Sequence, residues 1–340
     1  MTDLATKLQS LQELLDAYLP TLVPVRYPEG LAHMMQYHMG WVDASFAPAR
    51  SPTGKRLRPA LCLLVCEAVD GDPRAALPAA GAVELVHNFS LVHDDIQDHS
   101  PTRRHRPTVW SLWGMEQAIN VGDGLFALAE LALLQAESAP DLVVQALREL
   151  NEACRLLCEG QYLDLAMEQR TRVGLDEYLS MIERKTGALI ACSCSLGALF
   201  GGASAEVRSA YAAFGRELGI AFQLQDDLLG VWGEEEETGK PAGDIHQRKK
   251  GLPVVLGWET GDPDLQRELE ALYRADGPIA DERVAKAVRL LEEAGVRDRA
   301  EALVHAHYRR ALAALDEAGG RAEPHRQLRE LCHWLLGRTT

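Results

Sequence analysis

The sequence predicts an all-α fold, and three observations carry that expectation. Long segments place apolar residues at helical spacing. Ala, Leu and Glu, all good helix formers, dominate the composition. Strand signals are scarce, with no Asn-Gly hairpin between alternating apolar runs.

The elements follow in order. A first amphipathic helix covers 4–19, with Asp3 at its start, so the N-terminus does not read as a secretory signal. Pro20, Pro24 and Pro28 separate it from a helix over 31–46. Helices over 55–70 and 76–99 are divided by Gly71 and Pro73. After Pro101 and Pro107 come helices over 114–138 and 140–168, then 175–203 and 205–232. Pro241, Gly243, Gly251 and Pro253 break the chain before shorter helices at 253–259, 263–275, 281–296, 298–318 and 323–337. The stretch 187–205 carries no charge and approaches membrane-spanning length. It is rich in Gly, Ser, Ala and Cys, so a tightly packed central helix is expected and no membrane span. No long Pro/Gly/Ser linker and no repeat divides the chain, which predicts one domain over 1–340.

Composition narrows the function. Apolar residues at 47% and charged residues at 25% are globular values and exclude a disordered chain. With 35 Lys and Arg against 50 Asp and Glu, the net charge is −15. That argues against a nucleic-acid partner, which would require a basic face. The seven cysteines show no zinc spacing and read as buried thiols of a reducing, cytoplasmic protein.

Two acidic segments carry the chemistry. In ELVHNFSLVHDDIQD (84–98), Asp94 and Asp98 are four apart and share a helix face, with His87 seven residues earlier on that face. Like charges near a helix C-terminus repel each other and oppose the helix dipole, so a cation is expected there. Carboxylate oxygens suit Mg2+, which also retains waters and phosphate oxygens. A solvated helix end is the plainer reading of this motif alone. The second pair, Asp226 and Asp227 in FQLQDDLLG, closes another apolar helix, with Gln223 one turn earlier. Acid clusters on facing bundle helices form a recognised kind of metal site.

Basic groups punctuate the same chain. GKRLRP (54–59) sets Lys55, Arg56 and Arg58 at a helix entrance, where bound anion would offset them. Arg103, Arg104 and Arg106 follow the first acid pair, and arginine suits phosphate through paired planar donors. Arg184-Lys-Thr-Gly187 and the loop cations Lys240, Arg248, Lys249 and Lys250 complete the set. Each group alone reads as surface charge. Together, acids for Mg2+, bases for phosphate and an apolar interior match a diphosphate with a greasy tail.

On GKRLRP, ELVHNFSLVHDDIQD, TRRHRPTV, GQYLDL, ERKTGALI, FQLQDDLLG and TGKPAGD, the chain resembles the trans-isoprenyl diphosphate synthases, the polyprenyl synthetase family. The resemblance spans Gly54 to Pro253. It implies an isoprenoid-synthase-type helical bundle around a central cavity, a homodimer, and about three Mg2+ ions held with bound diphosphate. It implies a Mg2+-dependent condensation of isopentenyl diphosphate with an allylic diphosphate. Asp94, Asp98, Asp226 and Asp227 are then metal ligands, and Asp95 belongs to the first motif. Arg103, Lys185, Thr186, Gln223 and Lys240 contact the allylic diphosphate. Lys55, Arg58, His87 and Arg104 form the isopentenyl diphosphate pocket. Asp94, Asp95, Asp98, Arg103, Lys185 and Asp226 are the catalytic set. Lys249 aligns best with the family's second loop lysine, and Lys250 nearly as well. Gln161 and Asp164 lie in the GQxxDL segment. One departure stands out: the family's second motif ends in a third Asp, where this chain has Gly230. Glu234 to Glu237 and Asp244 are the nearby acids that would compensate.

Residues four and five before the first motif, Ser90 and Phe89, bear on product length in this family. Phe89 with an uninterrupted motif resembles short-chain synthases making C20 or C15 products. Two other readings remain open at this stage: a terpene cyclase on the same fold, and a non-catalytic partner subunit. The basic residues for a second diphosphate speak against the first, and the intact first motif against the second.

Overall fold

The computed structural model describes residues 3–51, 54, 56–233, 242–274 and 277–336. In chain order these form α1 (Asp3–Leu22), α2 (Glu29–His38), α3 (Leu57–Ala68) and α4 (Leu77–Gln97). A minimal hairpin, β1 (Thr102–Arg103) and β2 (Arg106–Pro107), leads to α5 (Val109–Trp113), α6 (Met115–Leu134) and α7 (Pro140–Glu168). Next, α8 (Leu175–Ile182) passes through one π-helical turn, Glu183–Gly187, into α9 (Ala188–Phe200), followed by α10 (Ala205–Trp232). The remainder is α11 (Gly243–His246), α12 (Leu252–Glu259), α13 (Pro263–Tyr273), α14 (Asp281–Glu293), α15 (Val296–Ala318) and α16 (Ala322–Leu336). The all-α expectation holds.

The chain divides into two compact units. The first comprises Met1–Glu152, Cys192–Ser209 and Gly319–Leu328. Its core is built by Leu11, Leu15 and Leu19 of α1, Leu61 to Leu64 of α3, Val83, Leu85 and Val86 of α4, and Leu125 and Leu133 of α6. The small residues of α9 do what their size suggests. A Cβ on Gly197 would lie 2.9 Å from the Cys62 carbonyl carbon, so only glycine allows α9 to approach α3 this closely. The second unit comprises Ala153–Ala191, Ala210–Ala318 and Arg329–Thr340. Its core joins Tyr178 and Ile182 of α8, Leu224 and Leu228 of α10, Val255 and Leu256 of α12, Leu269 of α13, Leu291 of α14 and Val304 of α15.

Three expectations change. The helix expected over 31–46 stops at His38, and Gly40 turns the chain at φ +83°. Beyond it, Asp43 Oδ1 accepts from the backbone N–H groups of Ser45 and Ala47, a local alternative to helix. Six cysteines are buried thiols as expected, but Cys158 is exposed. The membrane-length question moves from 187–205 to α6, the one helix among the described residues long and apolar enough to cross a membrane; 39% of its apolar window is buried.

Candidate active site

In the first unit, α4 ends in the acid motif. Asp94 is half-buried, Asp95 is buried and Asp98 is exposed. Asp94 and Asp98 sit on successive turns of one face, while Asp95 turns away to meet Arg103, whose Nε donates to Asp95 Oδ1 at 2.8 Å. Burial pushes the Asp95 carboxyl up to about 6, against the pull of Arg103.

The hairpin after α4 aims the arginines. Thr102 pairs with Pro107 and Arg103 with Arg106, leaving a two-residue turn of Arg104 and His105. Both have positive φ, +51° and +61°, the backbone a tight hairpin turn demands and one that usually selects glycine or asparagine. Arg104 then packs against Gly54, where a Cβ would lie 2.9 Å from its Nη2. The strained turn and the GKRLRP loop thus fix Arg104 from two sides.

A half-buried basic cluster surrounds it. Arg58 Nη1 stands 3.3 Å from His87 Nε2. Burial, reinforced by Arg58 and Arg104, holds the His87 pKa well below its usual value, so His87 is neutral and accepts from Arg58. Arg56 is buried and pairs with Asp16, which makes it structural. Glu84, 3% exposed, accepts from Asn88 Nδ2 at 3.0 Å. Burial raises its pKa, and Arg56, Arg58 and Arg104 oppose that rise. His38 lies in a small cavity of about 20 Å³ lined by Arg103, Arg104 and Arg106. Sequence reasoning passed over Glu84 and His38, since a single acid or histidine in an apolar helix carries no distinguishing pattern.

Phe89 and Ser90 are separated by the helix. Ser90 is buried and donates to the His87 carbonyl at 2.8 Å. Phe89 is half-buried, edge-on to His93 at 5.2 Å and tilted against Phe126 of α6 at 5.4 Å.

In the second unit, α10 carries the other acid pair with the two members in different surroundings. Asp226 is half-buried. Asp227 is buried and accepts from the Tyr178 hydroxyl, from Gln223 Nε2 at 3.0 Å and from the Leu252 backbone N–H at 2.8 Å. Through these bonds Asp227 fastens α10 to α8 and α12. Tyr178 was not singled out from sequence, because an aromatic residue on an amphipathic helix reads as core.

The π turn sets the next groups. Thr186 Oγ1 donates to Gln223 Oε1 at 3.0 Å, and Lys185 Nζ donates to Asp164 Oδ2 at 2.5 Å. A Cβ on Gly160 would come within 2.7 Å of Lys185 Cα, so α7 presses directly on this turn. Single π turns are frequent at functional sites. The loop cations are also sorted. Arg248 donates to the carbonyls of Leu272 and Gly277, Lys250 to the carbonyl of Glu168, and Lys249 pairs with Asp244 at 2.9 Å. Lys249 is thus the loop lysine left on the surface, 58% exposed. Lys55, Lys240 and Glu234 to Glu237 lie outside the described residues.

Among the described residues no group of three or more His, Cys, Asp or Glu side chains forms a metal cage. Mg2+ does not require one, because it binds through one or two carboxylates plus waters and phosphate oxygens. Asp94 and Asp98, oxygen donors on successive turns, fit that requirement. Beyond Asp226 the helix leaves a cradle at Gly230, where a Cβ would lie 2.5 Å from the Asp244 carboxyl carbon.

A family profile described as polyprenyl synthetase matches residues 40–291. The chain is 44% identical over 308 residues to a (2E,6E)-farnesyl diphosphate synthase of Mycobacterium tuberculosis, covering 90% of this chain and 85% of that one. It is 42% identical over 291 residues to a geranylgeranyl diphosphate synthase of the same organism, covering 85% and 83%. A crystal structure of a polyprenyl synthetase from Streptomyces coelicolor superposes with a TM-score of 0.92 at 38% identity, covering 98% of this chain and all of the other.

Proposed function

Because the chain belongs to the polyprenyl synthetase family, we propose that it is a Mg2+-dependent short-chain prenyltransferase. It condenses isopentenyl diphosphate with an allylic diphosphate, giving a C20 or C15 trans-polyprenyl diphosphate and diphosphate. The observation that carries this reading is the end of α4. Asp94 and Asp98 share one face, while Arg103 draws Asp95 aside.

Asp94, Asp98 and Asp226 are the metal-holding carboxylates, and Asp227 anchors α10. Bound Mg2+ would neutralise the leaving diphosphate and stabilise the charge that develops on it. Arg103, Lys185, Thr186 and Gln223 bind the allylic diphosphate. Lys185 and Thr186 are already positioned by Asp164 and Gln223. Arg58, neutral His87 and Arg104 take isopentenyl diphosphate, and the sequence adds Lys55 to that set. The substrate undergoes allylic C–O cleavage, attack by the alkene on the resulting carbocation, and loss of a proton to the released diphosphate. No side-chain nucleophile is required. Lys249 and Lys240 belong to the diphosphate-binding loop.

The exposed apolar side chains Met115, Ile119, Leu131 and Leu134 on α6, with Leu112 on the adjoining α5, support a homodimer. Chromatography with light scattering measures that directly. The function is tested by incubating purified protein with Mg2+, isopentenyl diphosphate and C5, C10 or C15 allylic primers. Chain-extended diphosphates are expected. A cyclase would instead release hydrocarbon or alcohol from farnesyl diphosphate alone, and a non-catalytic subunit would yield nothing.

A further inference from the structure

Arg103, Arg104 and Arg106 follow the first acid motif, and the fold gives the last of them a different task. Arg103 reaches Asp95 and Arg104 packs against Gly54, but Arg106 turns back toward α2. Its Nη1 donates to the Tyr37 carbonyl and its Nη2 to the Val42 carbonyl, both at 3.0 Å. Its guanidinium carbon stands 4.0 Å from the centre of the Tyr37 ring. One planar fork thus bridges the end of α2 and the loop after it while stacking on Tyr37. Tyr37 lies in the last turn of α2, where carbonyls lack an intrahelical donor and carry partial negative charge, so a cation is favoured there. A side chain held by two carbonyls and an aromatic face is committed to its own protein.

The neighbouring contacts fasten the rest of the hairpin. The Tyr37 hydroxyl donates to the Pro107 carbonyl at 2.9 Å, and Arg106 is the cross-strand partner of Arg103. Thr108 Oγ1 and Trp110 Nε1 both donate to the Ser100 carbonyl, at 2.9 and 2.8 Å, and so close the base of the hairpin. These ties meet a need created by the turn. Arg104 and His105 hold φ of +51° and +61° without being glycine. Such backbone persists only where the surroundings over-determine it. Arg106 directly follows His105, so its fork is the first fixed point beyond the strained pair.

We propose that Arg106 is a positioning residue: its fork on the Tyr37 and Val42 carbonyls holds the Arg104-His105 turn in its strained form and thereby aims Arg103 and Arg104. The aim of those two side chains at diphosphate rests on the proposed prenyltransferase reading. Arg106 itself is an anchor and contacts no phosphate.

The test uses the full chain and four variants: Arg106→Met, Arg106→Lys, His105→Gly, and His105→Gly combined with Arg106→Met. Each is assayed for kcat and KM with Mg2+, isopentenyl diphosphate and an allylic primer, and for amide hydrogen exchange over residues 100–108. Arg106→Met is expected to speed exchange in that segment and to lower kcat/KM by about 10- to 100-fold, mainly through KM. Arg106→Lys is expected to match it, because an ammonium neither spans two carbonyls nor stacks as a planar fork. His105→Gly relaxes one strained position and is expected to keep the wild-type KM. Combined with Arg106→Met, it favours the turn without the fork and is expected to recover much of the lost kcat/KM. A lysine variant close to wild type overturns the proposal, since charge alone, which is what a phosphate contact needs, would then suffice. Unchanged exchange in Arg106→Met overturns it too, as does a glycine that rescues nothing. Should Arg106→Met fail to fold, the same comparison is made on Arg106→Lys with and without His105→Gly. No chain-extended product from the wild-type chain would overturn the prenyltransferase reading, while hydrogen exchange would still decide whether Arg106 anchors the turn.

Discussion

Gly160 and Lys185 meet backbone to backbone: a methyl group on Gly160 would lie 2.7 Å from Lys185 Cα. The obstruction is main chain, so no side-chain rotation relieves it. Gly160→Ala is expected to destabilise the protein by about 1–3 kcal/mol, the usual range for overpacking. It also displaces the π turn that carries Lys185 and Thr186, so KM for the allylic diphosphate should rise. Thermal melts and initial-rate kinetics read the two effects. A wild-type melting temperature would contradict the close approach.

Asp226 and Asp227 are adjacent in sequence and opposite in consequence. Asp227→Ala strands the donors of Tyr178, Gln223 and Leu252 and should cost roughly 3 kcal/mol of stability. Asp226→Ala, which strands no such trio of donors, should cost less stability than Asp227→Ala and lower turnover by about 10²-fold or more. Parallel melts and product assays separate them; equal stability losses would remove the distinction.

Phe89 bears on product length through its ring contacts with His93 and Phe126. Phe89→Ala removes the ring that α4 sets against α6, and products longer than those of the wild type are expected. Chromatography of the dephosphorylated products gives the ladder. An unchanged ladder would make Phe89 a packing residue alone.

Acid should weaken the first unit through His38. Burial first, and then Arg103, Arg104 and Arg106, depress its pKa to about 3 from the usual 6.5. The unfolded chain therefore takes up this proton below pH 6.5, while the folded chain resists it until about 3. Stability from this residue is full above 6.5 and declines as pH falls through that window. His38→Gln, which does not titrate, should flatten the fall of melting temperature between pH 6.5 and 5. An identical slope in the variant would assign the acid sensitivity elsewhere.

Much of the architecture was legible because helical periodicity is a local property. The heptad-like spacing of Leu4, Leu11, Leu15 and Leu19 is visible without a fold, and so are the acid pairs that end α4 and α10. What stayed hidden depends on partners distant in sequence or on unusual backbone. Nothing in Arg104-His105 announces a hairpin turn, since the positive φ values are imposed by context on residues that do not favour them. The division of labour between Asp226 and Asp227 depends on Tyr178, many residues away. The end of α2 was misplaced because Asp43 spends its side chain on local backbone donors, a choice that helical propensity does not reveal.

Arg248, Lys249 and Lys250 are three cations in a row, yet each has a different address: the carbonyls of Leu272 and Gly277, the carboxylate of Asp244, and the carbonyl of Glu168. The arrangement is keyed by register and blind to net charge. Deleting any one of them would slide its neighbour onto the wrong partner while keeping the segment basic. Such a change would pass unnoticed in an inventory of charges and still uncouple two helix ends from the loop between them. Length, more than composition, is the property this loop has to conserve.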